Sequence, residues 1–234
     1  MIGKADDELV VGETGLTETQ TTPPGVLAIW NSCVPGREAE FEEWYQHEHF
    51  HERIAVPGFL LGRRYEAVRG APQYFCFYLT QSPDVLRSPA YLERLNNPTP
   101  QTRKIMSGPF RDMIRTACGV SVRLGVMRGA VAVTVRFTRP PALSVLQDTA
   151  KELAADKAVA CAEIWQARSA AEFPVSEEER VRGGDARIEA CLMVETLRLA
   201  DAETIAAALA NRFQESAPAS AVGIYRLLCE IRSG

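Results

Sequence analysis

The sequence has few histidines, no surplus of positive charge and no long apolar run, and each of these absences excludes a class of function. Its 234 residues contain three histidines, and 26 Lys and Arg against 30 Asp and Glu give a net charge of −4. A chain without a basic excess is a poor candidate for binding nucleic acid. No apolar stretch reaches the roughly 18 residues that span a bilayer, and the N-terminus lacks the apolar core of a signal peptide. We therefore expect a cytoplasmic protein with no nucleic-acid and no membrane partner.

Motifs that hold cofactors and structural metals are also missing. The sequence has no CxxC pair, no zinc spacing of Cys and His, no P-loop and no GxGxxG. The stretch "VRGGDAR" (residues 181–187) is interpreted as a hairpin loop. The six cysteines are widely spaced and lie in or beside apolar runs, which indicates free buried thiols in a reducing compartment. We expect no cofactor.

The order of predicted elements is the same in the two halves of the chain. Residues 1–24 are rich in Thr, Gly, Glu and Asp and predict a flexible tail. Residues 25–124 give strand, helix, strand, strand, helical segments and strand, and residues 125–234 repeat that order with little identity of residues. The pattern predicts two tandem repeats of a ferredoxin-like (βαββαβ) unit, the second divergent from the first.

Two such units can bury their open sheet faces against each other. Each repeat has helices on one face of an antiparallel sheet, so its other face needs a cover. We therefore predict an α+β fold in which the repeats form a fused dimeric α+β barrel, and such a chain can pair further into a homodimer. The alternative is two independent α+β domains joined near Gly125 to Gly129, but no long Pro/Ser linker separates the halves.

Every histidine lies in one predicted helix, in the stretch "FEEWYQHEHFHERIAVPGF" (residues 41–59). On a wheel at about 100° per residue, Phe41 is the apolar centre, with Trp44 and Tyr45 on its flanks. Glu48 and Glu52 fall close to that same centre. A buried ionised carboxylate is costly unless it is paired, so these two glutamates should find Arg or His partners or take up a proton.

The histidines themselves allow two chemical interpretations. Glu43, His47 and His51 share one stripe at i, i+4, i+8 spacing, which can bind zinc, but the stripe points toward solvent and no further histidine exists. A solvated helix face is the ordinary explanation. His49 lies one turn after Tyr45 and three residues before Glu52, an arrangement that suits a general base oriented by a carboxylate. Simple packing at the helix edge explains His49 equally well.

The same stretch resembles the EthD-like members of the dimeric α+β barrel superfamily. In those proteins a helix with an aromatic pair and a histidine runs into a Val-Pro-Gly or Leu-Pro-Gly turn, and a strand with Arg and Tyr follows. The matching positions here are Trp44, Tyr45, His49, "VPGF" (residues 56–59), Arg63, Arg64 and Tyr65. The resemblance covers about 30 residues of the first half and implies an aromatic-lined pocket, between helices and sheet, in which a His or Tyr moves a proton.

The resemblance, the helical wheel and the turn signal "NNPTP" (residues 96–100) together set expectations for cofactors and for individual residues. Haem-binding relatives use a proximal histidine at a position unlike any in this chain, so haem is not expected. The catalytic residues are expected to be His49, Glu52, Tyr45 and Arg64. The substrate-binding residues are expected to be Trp44, Glu48, Arg63, Tyr65, Asn96 and Asn97. Because Arg63 and Arg64 are adjacent on a strand, they point to opposite faces, and only one can enter the helix-side pocket.

Two functions remain open at this point. The first is a cofactor-independent enzyme that uses His-centred proton transfer on an aromatic or polyketide-like carbonyl compound, as an isomerase, cyclase, decarboxylase or cofactor-free monooxygenase. The second is a non-catalytic member of the same fold that binds a small ligand or a partner protein. The fold alone cannot choose between them.

Overall fold

A computed structural model describes residues 22–234. Most of the predicted tail, residues 1–21, lies outside this range. The strands are β1 Gly25–Cys33, β2 Phe59–Arg69, β3 Tyr74–Thr80, β4 Phe110–Leu124, β5 Val131–Phe137, β6 Val159–Ala167, β7 Ala190–Thr196 and β8 Val222–Arg232. The helices are α1 Glu38–Trp44, α2 Phe50–Ile54, α3 Pro89–Asn96, α4 Pro100–Ser107, α5 Leu143–Ala154, α6 Glu177–Arg182 and α7 Leu199–Arg212. Among these residues no helix is both long and apolar enough to cross a membrane.

The eight strands form one closed antiparallel barrel. Their order around it is β1-β3-β2-β8-β5-β7-β6-β4. Each half of the chain contributes four neighbouring strands, β4-β1-β3-β2 from the first and β8-β5-β7-β6 from the second, and the halves meet along the β2–β8 and β4–β6 ladders. The predicted α+β class and barrel are confirmed, and the two ladders contradict the alternative of two independent domains. The four strands follow the same order within each half.

Side chains fill the barrel, and the helices pack on its outside. The interior holds a stack of aromatic rings that includes Trp30 and Phe75, whose centroids are 5.0 Å apart. An eight-stranded barrel has room inside for little more than its own side chains. Two further apolar cores lie between the outer face of the sheet and the helices of each half. Strand β3 is therefore buried along its whole length, because both of its faces are covered.

One end of the barrel interior is polar. We call its side chains the barrel-end network: Arg63, Tyr65, Arg123, Arg128, Glu163 and Glu195. Arg63 pairs with the fully buried Glu195 and donates to the Gly129 carbonyl at 2.9 Å. Arg128 lies 2.8 Å from Glu163 and 3.2 Å from Glu195. The buried carboxylates are thus fully paired with guanidinium groups, as such groups must be.

The first helical segment runs from Glu38 to Ile54 but is interrupted by a π-helical turn at Tyr45–His49. In this turn the Phe50 N–H donates to the Tyr45 carbonyl, five residues earlier. The extra residue rotates everything after Tyr45 relative to a regular α-helix. The wheel prediction for Glu48 and Glu52 is therefore wrong, because both are only half-buried while Phe50 and Arg53 turn to the core.

The connection between β6 and β7 contains a helix rather than the plain hairpin loop that the sequence suggested. Helix α6 begins after Ser176, whose hydroxyl accepts from the Glu179 N–H at 3.3 Å, and ends at Gly183, whose φ of +86° is left-handed. The helix crosses from the second half of the chain and packs against α3 and α4 of the first.

Candidate functional site

A small cavity lies between the π-helical turn, helix α2, the outer face of the sheet and helices α3, α4 and α6. Its volume is about 20 Å³, room for about one water molecule. We call it the His49 cavity. Its lining residues come from both halves of the chain: Leu27, Ile29, Tyr45, His49, Arg53, Tyr78, Tyr91, Met106, Phe110, Met113, Arg115, Glu178 and Arg182.

His49 reaches this cavity because of the π-helical turn. Its side chain is 6% exposed and lies against Trp44, with ring centroids 4.3 Å apart. No group among residues 22–234 bonds to its Nδ1 atom. Burial, followed by the charges of Arg53, Arg182 and Arg115, holds the pKa of His49 well below 6.5. At neutral pH it is therefore an uncharged imidazole with a free ring nitrogen.

Two more polar groups of the cavity are incompletely bonded. Within the described part of the chain, the Tyr78 hydroxyl and the Arg53 Nη1 atom have no hydrogen-bond partner, although both side chains are almost fully buried. Burial also raises the pKa of Tyr78 well above 10, so its hydroxyl keeps its proton and can donate. Because buried polar groups are nearly always bonded, these atoms and His49 Nδ1 offer three positions at which a bound molecule can be held.

Three guanidinium groups make the cavity electropositive. Arg53 pairs with Glu178, and Arg182 lies 2.7 Å from Asp185 and 3.7 Å from Glu178. Arg115 donates to the Tyr91 hydroxyl at 2.9 Å, which is a neutral partner. Three positive charges therefore face two carboxylates, and Glu178 is the one acidic residue among the lining residues.

The predicted carboxylate partner of His49 is elsewhere. Glu52 does not line the cavity; its side chain is 21% exposed and lies 3.9 Å from Arg94 at the surface. Glu48 instead accepts hydrogen bonds from the Thr99 and Thr102 hydroxyls at the start of α4, the second at 2.9 Å. The π-helical turn explains both positions, since it carries the two glutamates away from the cavity.

Trp44 and Tyr45 lie beside His49 as the sequence suggested. Trp44 donates to the Thr102 hydroxyl at 3.0 Å, which fixes the indole on which His49 rests. The Tyr45 ring meets His49 edge-on at 5.2 Å. Arg64 lies behind Tyr45, with its guanidinium carbon 4.6 Å from the centre of the Tyr45 ring, and does not line the cavity. Arg64 can hold Tyr45 in place but does not reach the lining of the cavity.

The remaining expected binding residues are not at the cavity. Arg63 and Tyr65 point into the barrel, where the Tyr65 hydroxyl donates to Glu195 at 2.5 Å. The Asn96 side-chain oxygen accepts from the Glu177 N–H at 3.1 Å. Asn97 lines a separate surface cleft of about 270 Å³. Strand alternation places Arg63 and Tyr65 on the opposite side of the sheet from His49.

The alternative metal ligands Glu43, His47 and His51 are all exposed on the outer side of the helix. Across residues 22–234, no three or more His, Cys, Asp or Glu side chains are grouped so that they could hold a metal ion.

Several lining residues were not anticipated from the sequence: Arg53, Tyr78, Tyr91, Arg115, Glu178 and Arg182. The sequence did contain a signal for the helix that carries two of them, Glu178 and Arg182. Ser176 followed by Glu179, with Gly183 beyond, has the spacing of a helix start and stop. That signal predicts a helix inside the β6–β7 connection, although not where the helix lies.

No protein-family model matches the sequence, and no curated protein matches it. Solved structures do match the fold. A protein named "Putative monooxygenase" from Fusobacterium nucleatum subsp. nucleatum has a TM-score of 0.60 and 7% identity, with 92% of this chain and 96% of that chain covered. An "anthrone oxidase-like protein" has a TM-score of 0.60 and 11% identity, with 91% and 94% covered. A "Putative Chlorite dismutase" has a TM-score of 0.51 and 13% identity, with 89% and 96% covered. At such identities the likeness shows the fold alone, that of the dimeric α+β barrel proteins.

Proposed function

We propose that this chain is a cofactor-independent enzyme in which His49 takes a proton from an enolisable aromatic or polyketide-like carbonyl compound. The observation that carries the proposal is the set of three incompletely bonded groups in one cavity: His49 Nδ1, the Tyr78 hydroxyl and Arg53 Nη1, counted over residues 22–234. Together they supply a neutral base, a neutral hydrogen-bond donor and a cation. Proton abstraction next to a carbonyl requires these three functions.

The charges of the cavity favour this reaction over simple protonation of His49. When His49 takes a proton, the substrate becomes an enolate or phenolate, and the imidazolium–enolate pair is neutral as a whole. The guanidinium groups then stabilise this pair when the enolate or phenolate oxygen lies nearer to them than the imidazolium does. Arg53 and Tyr78 are suited to hold the developing oxyanion, and such preorganised donors commonly contribute about 10²–10³ in rate.

Among the reactions of this type, the names of the matching structures support an oxygenase. An enzyme of that kind would convert a CH₂ group and O₂ into a carbonyl group and water. The base removes a proton, the carbanion is oxidised by O₂, one oxygen atom stays on carbon and the other leaves as water. Isomerisation or cyclisation would use the same first proton transfer. The EthD-like motif and the matching strand orders of the halves support a tandem-repeat member of that family.

The second candidate is a non-catalytic member that binds a small ligand. It is favoured by one specific observation, that no carboxylate of the described residues bonds to the His49 ring as an orienting partner. A stacked histidine with a lowered pKa can equally form the wall of a binding pocket.

The two candidates are separated by hydrogen–deuterium exchange of the substrate. Anthrone-like and other enolisable aromatic ketones are incubated with the wild type and with His49→Gln, and loss of the acidic C–H and uptake of O₂ are followed. We expect the variant to bind with an affinity within a few-fold and to lose about 10²–10⁴ of the exchange rate, as for removal of a general base. His47→Gln, on the exposed side of the same turn, is the matched control.

Exchange that survives in His49→Gln would refute His49 as the base. Saturable binding by the wild type without any exchange or O₂ uptake would favour the ligand-binding candidate instead.

A further inference from the structure

We propose that the ligand of the His49 cavity carries an anionic group on an aromatic frame, a carboxylate or phenolate, which replaces the Glu178 carboxylate on Arg53 when helix α6 moves away. The inference rests on the proposed function for the location of the site. It concerns binding, however, and holds whether or not a reaction follows.

The first argument is space. At about 20 Å³ the cavity is far too small for an aromatic ring, since a cavity that takes up benzene measures about 150 Å³. Its other walls are the barrel sheet and the helices that pack directly on it. The wall that can move is α6, which has six residues and comes from the other half of the chain. A ligand must therefore displace α6 to enter.

The second argument is the way in which α6 is attached. Its C-terminal end leads into Gly183 and Gly184, both with left-handed φ (+86° and +103°), and a Cβ added to either glycine would meet no heavy atom of the described residues within 4 Å. Its attachments to the first half are mainly polar: Glu178 to Arg53, Glu177 to Arg103 at 2.8 Å, and the Glu177 N–H to Asn96. Val181 packs against the apolar core of the first half, and Arg182 Nη1 donates to Met106 Sδ at 3.3 Å. Such a segment can swing on the glycines.

The polar attachments also make opening inexpensive. The Coulomb attraction within a buried ion pair is largely offset by the cost of keeping both charges out of water. When α6 leaves as a unit, Arg53 and Glu178 are both rehydrated, and neither remains buried alone. Removing only one of the two partners has no such compensation.

The third argument is the charge that remains behind. Glu178 and Arg182 leave with α6, while Arg53 and Arg115 stay on the body of the protein. The lining then contains the guanidinium groups of Arg53 and Arg115. The Asp185 carboxylate lies beyond the glycines, beside Ala186, which is bonded to β4; it loses Arg182 and stays near Arg115, so Arg53 is the guanidinium group left without a carboxylate partner. An incoming carboxylate matches Arg53 in charge and can accept two parallel hydrogen bonds from it, while a phenolate matches the charge and accepts with its single oxygen. The rings of Tyr45, Tyr78 and Tyr91 supply flat apolar walls around that position. Glu178 is therefore a built-in competitor for the anion position.

The test compares charged and neutral probes of the same shape. Benzoate, salicylate and 2-naphthoate, and the three corresponding amides, are titrated by calorimetry into the full chain as wild type, Glu178→Gln and Glu177→Gln. Glu177 is on the same helix but pairs with Arg103 at the surface, so Glu177→Gln is the matched control. We expect Glu178→Gln to bind at least one of the acids about tenfold or more tightly than the wild type does. The amides should change less than threefold. Glu177→Gln loosens α6 without freeing Arg53, so it should change the affinity for acids and amides alike, by less than about threefold.

Two further measurements keep the proposal falsifiable. If Glu178→Gln does not fold, Glu178→Asp keeps the charge on a shorter side chain, and we expect it to strengthen acid binding by a smaller factor. Amide hydrogen exchange across residues 177–182 should become faster in the wild type when a bound acid displaces the helix.

Equal affinity of wild type and folded Glu178→Gln for every acid would overturn the proposal, as would equal gains for acids and amides or slower exchange in α6 on binding. Acid binding without turnover would refute the proposed enzyme and leave this inference standing. Turnover of neutral ketones, with no effect of Glu178→Gln on acid binding, would support the proposed enzyme and refute this inference.

Discussion

Replacing Arg63 tests whether this residue belongs to the ligand site, as the sequence suggested, or to the interior of the barrel. In the structure Arg63 pairs with Glu195, whose side chain is 0% exposed, and with Glu230 at 3.0 Å. Arg63→Met removes the guanidinium group and keeps a long apolar side chain. Glu230 is 25% exposed and can turn to solvent, whereas Glu195 cannot.

The expected loss of folding stability depends on the partners that Glu195 keeps when Arg63 is replaced. Removing one partner of a buried ion pair typically costs about 3–5 kcal/mol, because the other charge stays buried and unpaired. Glu195 keeps the Tyr65 hydroxyl at 2.5 Å and Arg128 at 3.2 Å, so we expect a loss at the lower end, about 3 kcal/mol. For a chain of this size that corresponds to a fall in melting temperature of about 6–12 °C. The double variant Arg63→Met/Glu195→Met should recover most of the loss, since no charge is then left unpaired.

The assay is urea unfolding of Arg63→Met, Glu195→Met and the double variant, with binding of the aromatic acids measured in parallel. Arg87→Met is the control, because Arg87 pairs with Asp84 at 2.8 Å on the surface, and such pairs contribute about 1 kcal/mol or less. Acid affinity of Arg63→Met should equal that of the wild type, since Arg63 lies on the other side of the sheet from His49. A loss of stability below about 1 kcal/mol, or a loss of affinity with stability retained, would refute the reasoning.

Three further predictions concern the helix that carries His49. Because the pKa of His49 is lowered in the folded state, the unfolded chain binds more protons than the folded chain below about pH 6.5. The stability of the wild type relative to His49→Gln should therefore fall as the pH decreases, by at most about 1.4 kcal/mol per pH unit. Urea-unfolding stabilities of the two proteins that change in parallel from pH 7 to 5 would contradict this. Deleting the exposed His47 should convert the π-helical turn into α-helix and leave the protein folded by circular dichroism, with a stability equal to that of the wild type or up to about 1 kcal/mol higher. Binding of the aromatic acids should be lost. Unchanged binding would show that the turn does not position His49. Thr102→Val removes a shared hydroxyl from Trp44 and Glu48 and should cost about 1–3 kcal/mol in thermal unfolding, while the exposed Thr204→Val should cost much less.

The fold was predictable because its signals are local. Strand and helix patterns repeat in the same order in both halves, and each half alone has an uncovered sheet face, which together specify a closed barrel. Strand alternation also indicated correctly that Arg63 and Arg64 would face opposite ways. It could not say which one faces the helices, because that depends on the register of β2 against β3 and β8, where bulges interrupt both ladders.

The site was predicted only around His49 and its aromatic neighbours. The wheel assumed a uniform 3.6-residue period, and the π-helical turn broke it, so that the predicted partner Glu52 moved to the surface and Arg53 took a buried place. The other charged residues were out of reach for a different reason. Arg115 is more than 60 positions from His49 and Glu178 more than 120 along the chain, and only the closure of the barrel brings α6 over the first half. No spacing rule within one half contains that contact.

The closed barrel also affects which amino-acid substitutions the protein can tolerate. One chain supplies all eight strands, so the β2–β8 and β4–β6 ladders close within a single molecule, and dilution cannot open them. A barrel assembled from two identical chains carries every substitution twice and has to tolerate it at both positions. Here each substitution occurs once. A second half that need not match the first can place helix α6 over His49 and contain no histidine, while the first half holds the aromatic wall and the imidazole.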